Sequence, residues 1–131
     1  MSNKPLILKP ACLKTLSAVE AGPEISNQHE FNGVDALKKI FGLGKFDKEA
    51  EFSVRGEAIF DRVNVTWYDA REQHPTRTEH RLYFQKNKVM QSAREGDNML
   101  IGFDSTGQLH CVLIRCGTNG YKPNIAVWEI V

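Results

Sequence analysis

The segment Val63-Asn64-Val65-Thr66-Trp67-Tyr68 alternates apolar and polar side chains along its whole length. Successive side chains of a β-strand point to opposite faces, so this alternation predicts a strand that buries one face. Two later segments carry the same pattern, through Met99, Ile101 and Phe103 and through Leu109, Cys111 and Leu113. Residues 103–109 lie between them and predict a hairpin turn. These patterns therefore predict a mainly β chain.

A short helix is predicted over residues 32–42. Its apolar side chains fall at i, i+3 and i+7, namely Val34, Leu37 and Phe41. Asn32 can cap the start of the helix and Gly42 its end. We interpret the apolar stripe as core packing. A first strand is expected within residues 11–19, and a last strand over residues 125–131 closes the sheet.

At 131 residues the chain fits a single domain with one sizeable core. Its apolar content of 41% and charged content of 25% are ordinary for a soluble globular protein. Several short strands with one or two short helices predict an all-β barrel or sandwich. The sequence has no apolar run of roughly 18 residues and no signal-peptide pattern, so we expect no membrane association and a cytoplasmic location.

The cysteines indicate neither a metal site nor a disulfide framework. Cys12, Cys111 and Cys116 are odd in number and lack CxxC spacing, which argues against a disulfide scaffold and against structural zinc. His110 and Cys111 are adjacent, and neighbours in a strand point to opposite faces, so we do not expect them to share a metal. We expect buried thiols, no metal and no cofactor.

Catalysis by this chain alone is not expected. The sequence lacks the Asp and acid-x-Lys triplet of magnesium-dependent nucleases, and the charged cluster 47–49 is interpreted as a solvated, loop-like segment. It also lacks the GxSxG elbow and the GxxxxGK(S/T) phosphate loop. A serine or cysteine nucleophile with a histidine base leaves no mark in a single sequence, because such partners meet only in the folded chain.

The polar segment at residues 71–81, with the sequence REQHPTRTEHR, is the strongest candidate for function. Its side-chain types read base edges, because an arginine fork reaches O6 and N7 of guanine and a carboxylate accepts from the cytosine amino group. The same composition is typical of a solvated hairpin end with mixed charges. Composition alone favours that plainer interpretation.

Charge is distributed unevenly along the chain, although the net charge is only +1. Residues 71–88 contain five cations and two acids, whereas residues 20–35 contain four acids and neither Lys nor Arg. A surface that grips phosphates is usually basic. If the acidic segment touches DNA, it must do so through base edges or amide groups.

Three pieces of the chain resemble the effector-binding N-terminal domain of EcoRII-type restriction endonucleases, a member of the DNA-binding pseudobarrel group. The pieces are residues 13–18 (LKTLSA), the sequences WYDAR and TRTEHR within residues 67–81, and residues 94–103 (REGDNMLIGF). They keep the order of the family, and the second piece is the most specific. The resemblance implies an open, seven-stranded pseudobarrel, mainly β, with one or two short helices.

The resemblance also implies two arms that enter the DNA major groove from either side. The C-terminal arm falls on Arg71, Thr76, Arg77, Thr78, Glu79, His80 and Arg81. The N-terminal arm is placed on Ser26, Asn27, Gln28, His29, Glu30 and Asn32. An amide-rich loop that only caps the helix is the alternative for the second set. Pro75 and His80 stand where the family has lysines, so we expect weaker and more pH-dependent phosphate binding.

From this resemblance we expect sequence-specific binding of double-stranded DNA at a short CCWGG-like site, by a monomer. The chain would then be the recognition or effector domain of a Type II restriction endonuclease, with a catalytic nuclease domain elsewhere in the full-length protein. The altered arm residues leave the target itself open. The alternatives are a non-catalytic β-barrel that binds a protein or a small ligand, and a plain scaffold domain.

Overall fold

The computed structural model describes residues 7–22, 29–33, 35–71, 73, 76 and 78–131. The strands in this part of the chain are β1 (Ala11–Thr15), β2 (Glu30–Gly33), β3 (Phe46–Val54), β4 (Phe60–Asp69), β5 (His80–Phe84), β6 (Asn98–Phe103), β7 (Leu109–Ile114) and β8 (Glu129–Ile130). The helices are α1 (Ala18–Ala21), α2 (Asp35–Phe41) and α3 (Lys88–Ser92). Across the described residues, no helix is both long and apolar enough to cross a membrane.

The strands form one curled sheet, a half-barrel, in the order β2-β5-β4-β3-β7-β6-β1-β8. Neighbouring strands run antiparallel except β3 and β7, which are parallel. This architecture confirms the prediction of a mainly β, open barrel. It has eight strands where the resemblance implied seven, and three short helices where one or two were expected.

One difference lies in the centre of the sheet, where β3 includes the charged cluster 47–49 and was not predicted as a strand. The other differences lie at the two edges of the sheet. Edge strand β2 falls within the polar stretch for which the sequence predicted a loop and the start of a helix. Its four residues are too few to show a clear alternating pattern. At the other edge, β8 spans two residues where a strand over 125–131 was predicted. The first strand, β1, lies within the predicted range of 11–19.

The alternation in β4 produces one buried face, as predicted. Val65 and Trp67 are fully buried, whereas Asn64 is exposed. The same inward face continues in the neighbouring strands through Phe52, Leu82, Phe84, Met99, Ile101, Leu109, Cys111 and Leu113. Phe31 of β2 packs edge to face on Trp128, which precedes β8, with ring centroids 5.6 Å apart. This contact joins the two edge regions over the core.

Helix α2 begins at Asp35, later than predicted. Asn32 does not cap it, because Asn32 lies in β2 and pairs with Arg81 of β5. Val34, which the sequence placed in the apolar stripe, lies outside the described residues. Pairing of β2 with β5 has therefore extended the strand to the residue where the helix was expected to start.

The C-terminal part of the helix is as predicted. Gly42 ends it with φ 78°, a backbone conformation that glycine adopts without strain. Leu37 is fully buried, and Phe41 packs against the core. The apolar stripe of the helix is therefore part of the core, which confirms that interpretation.

Two of the three cysteines are buried thiols, as expected. Burial raises the pKa of Cys12 to about 11, and it also raises the pKa of Cys111. Cys116 is exposed, so the expectation of a buried thiol is wrong there. It lies two residues after the end of β7, where the chain has left the sheet for a loop.

The predicted hairpin turn connects β6 to β7 and is organised by Asp104. Its carboxylate accepts hydrogen bonds from the Thr106 hydroxyl at 2.6 Å, the Thr106 amide at 2.8 Å and the Gln108 amide at 3.0 Å. The other oxygen lies 2.8 Å from Nε2 of His110. The bonds to Thr106 and His110 hold the pKa of Asp104 well below its ordinary value.

This depressed pKa predicts a pH-dependent effect of Asp104→Asn. A carboxyl group with a lower pKa in the folded state stabilises the fold above its unfolded pKa of about 4, and that contribution is lost as pH falls through the folded value. We expect Asp104→Asn to lower the free energy of unfolding at pH 7 and to differ less from wild type below pH ~4. Urea unfolding between pH 3 and 7 measures this, with the exposed Glu95→Gln as the control. A pH-independent difference would contradict it.

Candidate nucleic-acid interface

Those residues of the two predicted arms that the structure describes on the outer face of the half-barrel come together at β5. In the sheet register, Arg81 of β5 lies opposite Asn32 of β2 on one side and opposite Tyr68 of β4 on the other. Residues directly opposite each other share a face, so these three side chains form one row. Glu30 lies two residues before Asn32 and shares the same face. The connection between β4 and β5 leaves the sheet next to this row.

Asp69 joins the two ends of the β4–β5 connection by hydrogen bonds. Its Oδ1 accepts hydrogen bonds from the backbone N–H of Arg71 at 2.9 Å and of Glu79 at 2.8 Å. The backbone N–H of Ala70 donates to the carbonyl of Glu79 at 2.7 Å. The bond from the Glu79 amide, followed by that from Arg71, lowers the pKa of Asp69. The two sides of the connection are therefore tied together, which fixes where Arg71 and Glu79 leave the sheet.

Arg81 is held by two carboxylates on opposite sides. Its Nε donates to Oε2 of Glu79 at 3.1 Å, and Nη2 donates to the same oxygen. Its Nη1 donates to Oε1 of Glu30 at 3.2 Å. Arg71 also approaches Glu79, with Nε 3.8 Å from Oε1. The hydrogen bonds from Arg81 lower the pKa of Glu79, and those carboxylates raise the pKa of Arg81.

Tyr68 completes this cluster from β4. Its hydroxyl donates to Oε2 of Glu30, the carboxylate oxygen that Arg81 does not use. Burial, and then the bond to Glu30, raise the pKa of Tyr68 to about 12. Glu30 therefore links Tyr68 and Arg81, and Glu79 links Arg81 and Arg71. We call these five side chains the Arg81 cluster.

His80 faces the core, so its predicted place on the DNA side of the C-terminal arm is wrong. The residue is buried, with 3% of its surface exposed. Its Nε2 lies 2.9 Å from the carbonyl oxygen of Leu43, and its ring stacks on Trp67 with centroids 5.1 Å apart. Neighbouring strand residues point to opposite faces, so an outward Arg81 requires an inward His80. Buried in this way, His80 does not reach DNA phosphates on the outer face.

The remaining residues of the C-terminal arm are described only in part. Thr76 and Thr78 are exposed, and Glu79 is half-buried in the Arg81 cluster. Arg77, at the centre of the predicted arm, lies outside the described residues, and so does Pro75. The structure thus brings together Arg71, Glu79 and Arg81 of the predicted set.

The predicted N-terminal arm is likewise described only in part. Ser26, Asn27 and Gln28 lie outside the described residues. Half-buried His29 packs its ring edge to face against Phe84, with centroids 5.9 Å apart. Glu30 and Asn32 lie on the outer face of β2, where Asn32 is exposed. Of this arm, these two residues reach the Arg81 row.

Tyr68 and Asp69 are functional candidates that the sequence analysis did not select. Both lie at the end of the alternating segment of β4, where Tyr68 occupies an outward position. A polar residue that shares the outward face of a strand with the predicted arm is the signal that could have identified Tyr68. Nothing in the spacing indicates that the Asp69 carboxylate turns back to two backbone amides.

The close approach of β2 to Trp67 depends on Gly33. A Cβ atom at this position would lie 2.4 Å from Cη2 of Trp67 and 2.9 Å from the carbonyl oxygen of His80. Atoms do not approach so closely, so any larger residue would push β2 away from the sheet. Trp67 is fixed in turn by a hydrogen bond from Nε1 to the carbonyl oxygen of Gly42 at 2.9 Å. Gly33 thereby sets the position of Glu30 and Asn32.

A cavity of about 520 Å³ lies beside the Arg81 cluster. It is lined by Asn32, Gly33, Asp35, Ala36, Lys38, Thr78, Glu79, His80 and Trp128. Two buried nitrogen atoms on these residues, Nδ1 of His80 and Nε1 of Trp128, have no hydrogen-bond partner among the described residues. The polar groups that the cavity offers to a ligand are those of its lining side chains, such as Asn32, Asp35 and Lys38.

The side chains of this face can recognise polar groups but do not form a metal centre. Within the described ranges, no group of three or more His, Cys, Asp or Glu side chains is arranged to hold a metal ion.

In comparisons with protein-family models and with curated proteins, nothing matches this chain. The Arg81 cluster and its surroundings are therefore the basis for the proposed function.

Proposed function

We propose that this chain binds double-stranded DNA in a sequence-specific manner, through the outer face around Arg81. The observation that carries the proposal is the arginine held between two carboxylates where both arms meet. Guanine is read through a planar fork that must be correctly oriented, and carboxylates that hold an arginine supply this orientation. They also offset its charge, so the affinity for DNA phosphates alone should be modest.

The Arg81 guanidinium retains donors for a base. A guanidinium has five N–H groups. In the described part of the chain, one N–H each on Nε, Nη1 and Nη2 is used by Glu30 and Glu79. One N–H on Nη1 and one on Nη2 then remain, and arginine N–H groups are donors that suit O6 and N7 of guanine.

The resemblance to EcoRII-type domains indicates the biological role that we propose for this DNA binding. The chain would serve as the recognition or effector domain of a Type II restriction endonuclease, in the cytoplasm, and would bind a short CCWGG-like site as a monomer. Cleavage would belong to a catalytic nuclease domain elsewhere in the full-length protein. The chain itself is proposed to recognise DNA without catalysis, since the nuclease motif is missing from its sequence.

A gel-shift titration tests the proposed function. Duplexes with and without a CCWGG site are compared at two salt concentrations. We expect tighter binding to the CCWGG duplex at both concentrations, and weaker binding to both duplexes at the higher salt, because bound cations release counterions from DNA. Equal affinity for the two duplexes at both salt concentrations would contradict sequence-specific recognition of this site.

Glu79→Gln tests the acidic residue of the arm. A carboxylate near DNA repels phosphates, so its presence in the arm requires a role in orienting Arg81 or in accepting from cytosine. We expect this variant to lose about tenfold in preference for the cognate duplex, with no gain in cognate affinity. Glu57→Gln is the matched control, because Glu57 also pairs with an arginine and its side chain is 39% exposed against 38% for Glu79. Tighter cognate binding with unchanged preference would argue against this role.

The second candidate function is binding of a small polar ligand in the cavity beside the cluster. The polar and charged side chains that line this cavity, among them Asn32, Asp35 and Lys38, favour it. It predicts a chain that shows no preference among duplexes but is stabilised by a ligand, since ligands that bind the folded state raise its apparent stability. Loss of that stabilisation in Trp128→Phe would place the ligand in this cavity.

A further inference from the structure

We propose that Tyr68 and Glu30 are positioning residues that set the orientation of Arg81 and thereby the base preference of the chain. The inference rests on the proposed function and deepens it. It adds Tyr68, which lies outside both predicted arms, and it gives Glu30 a role other than direct contact with DNA.

Each Glu30 oxygen has its own partner. Oε1 accepts from Nη1 of Arg81 at 3.2 Å, and Oε2 accepts from the Tyr68 hydroxyl. The three residues come from the neighbouring strands β2, β5 and β4. The Tyr68 bond therefore fixes the rotation of the carboxylate, and the carboxylate fixes the Nη1 end of the guanidinium.

Glu79 alone cannot fix Arg81 in the same way. Glu79 accepts hydrogen bonds only from the Nε–Nη2 edge of the guanidinium. Its side chain also belongs to a loop, at the end of the β4–β5 connection. The bond from Glu30 engages the opposite end of the guanidinium and comes from a strand of the sheet. Sites built on strands are more precise than sites on loops. We infer that Glu30 and Tyr68 provide the more rigid of the two supports.

The surroundings of Glu30 keep it available for this role. Its side chain is only 15% exposed, so its interaction with Arg81 is less screened than a fully exposed ion pair. Glu30 also lines a second cavity, of about 380 Å³, together with Lys14. Lys14 is paired there with Glu20 at 2.5 Å. Lys14 therefore does not compete with Arg81 for the Glu30 carboxylate.

Tyr68→Phe is the primary test, because it removes one hydroxyl from the outer face and leaves the ring. We expect the preference for the cognate duplex over singly substituted duplexes to fall about three- to tenfold, the range of one net hydrogen bond. The affinity for unrelated DNA and its salt dependence should not change, because the number of phosphate contacts is the same. Tyr83→Phe is the matched control, with an exposed phenol on neighbouring strand β5.

Glu30→Gln is the second variant. We expect a loss of preference of the same size, and the double variant with Tyr68→Phe should lose no more than about either single variant, because the two residues act as one unit. Fully additive losses would show that they act separately and would overturn the pairing.

A readout in the free protein separates this inference from the proposed function. We expect the NMR signal of the Arg81 Nε–H to shift, and its exchange with water to speed up, in Tyr68→Phe and in Glu30→Gln but not in Tyr83→Phe. An unchanged signal, or an undiminished base preference in Tyr68→Phe, overturns the inference alone. A wild-type chain without any preference among duplexes overturns the proposed function, and the inference falls with it.

Discussion

Trp67→Ala is expected to lower the free energy of unfolding by about 3–5 kcal/mol, the range for removal of a fully buried large aromatic side chain. Trp67 is completely buried and packs against Phe41 and His80, with ring centroids 5.0 and 5.1 Å away. Its hydrogen bond to the carbonyl of Gly42 is lost as well. Such a loss is a large part of the roughly 5–15 kcal/mol that stabilises a typical domain.

Urea unfolding followed by circular dichroism measures this effect. The control is Tyr83→Ala, which removes an exposed aromatic side chain from β5 and should cost about 1 kcal/mol or less. Since Trp67 lies directly beneath Gly33, we also expect amides of β2 to exchange faster in Trp67→Ala. A Trp67→Ala protein as stable as wild type would mean that Trp67 is not a core residue.

Arg81→Ala is expected to have the largest effect on DNA binding. Loss of a bidentate guanine contact costs about 1–3 kcal/mol, which corresponds to a fall in cognate affinity of roughly 5- to 150-fold. The loss should be concentrated on duplexes with the preferred base pair. Binding to unrelated DNA should weaken little, because Glu79 and Glu30 already offset the charge of Arg81.

Arg62→Ala is the matched control for Arg81→Ala. Arg62 also lies on the outer face between two carboxylates, with Glu49 and Glu51 each 3.4 Å away, but it is near the start of β4 and far along the strand from the cluster. We expect its removal to leave base preference unchanged. An equal loss of affinity on every duplex in Arg81→Ala would assign Arg81 to a phosphate instead of a base.

Central strand β3 was not predicted from the sequence, but β4, β6 and β7 were, because each turns apolar side chains at alternate positions into the core. That condition leaves an alternating pattern, seen clearly through Val65 and Trp67 in β4. Edge strand β2 could not be predicted in this way. It is four residues long, and its position depends on pairing with β5 and on the close fit of Gly33 against Trp67. These are tertiary effects that no local pattern carries.

The candidate site was predicted in part. The resemblance selected Glu79 and Arg81, which the structure joins in one cluster with Arg71. It also selected His80, although strand alternation from Arg81 would have turned His80 inward. The contact of Tyr68 with Glu30 could not be predicted, because it joins residues 38 positions apart across three strands.

Selection from a randomised duplex library tests sequence-specific recognition most directly, because it assumes no target. The wild-type chain, Arg81→Ala and Arg62→Ala are each incubated with the library, and the bound duplexes are sequenced. We predict that wild type and Arg62→Ala enrich the same short G·C-flanked site with a central A·T pair, and that Arg81→Ala loses the preference at one G·C pair. Recovery of no preferred sequence by the wild-type chain would contradict the account.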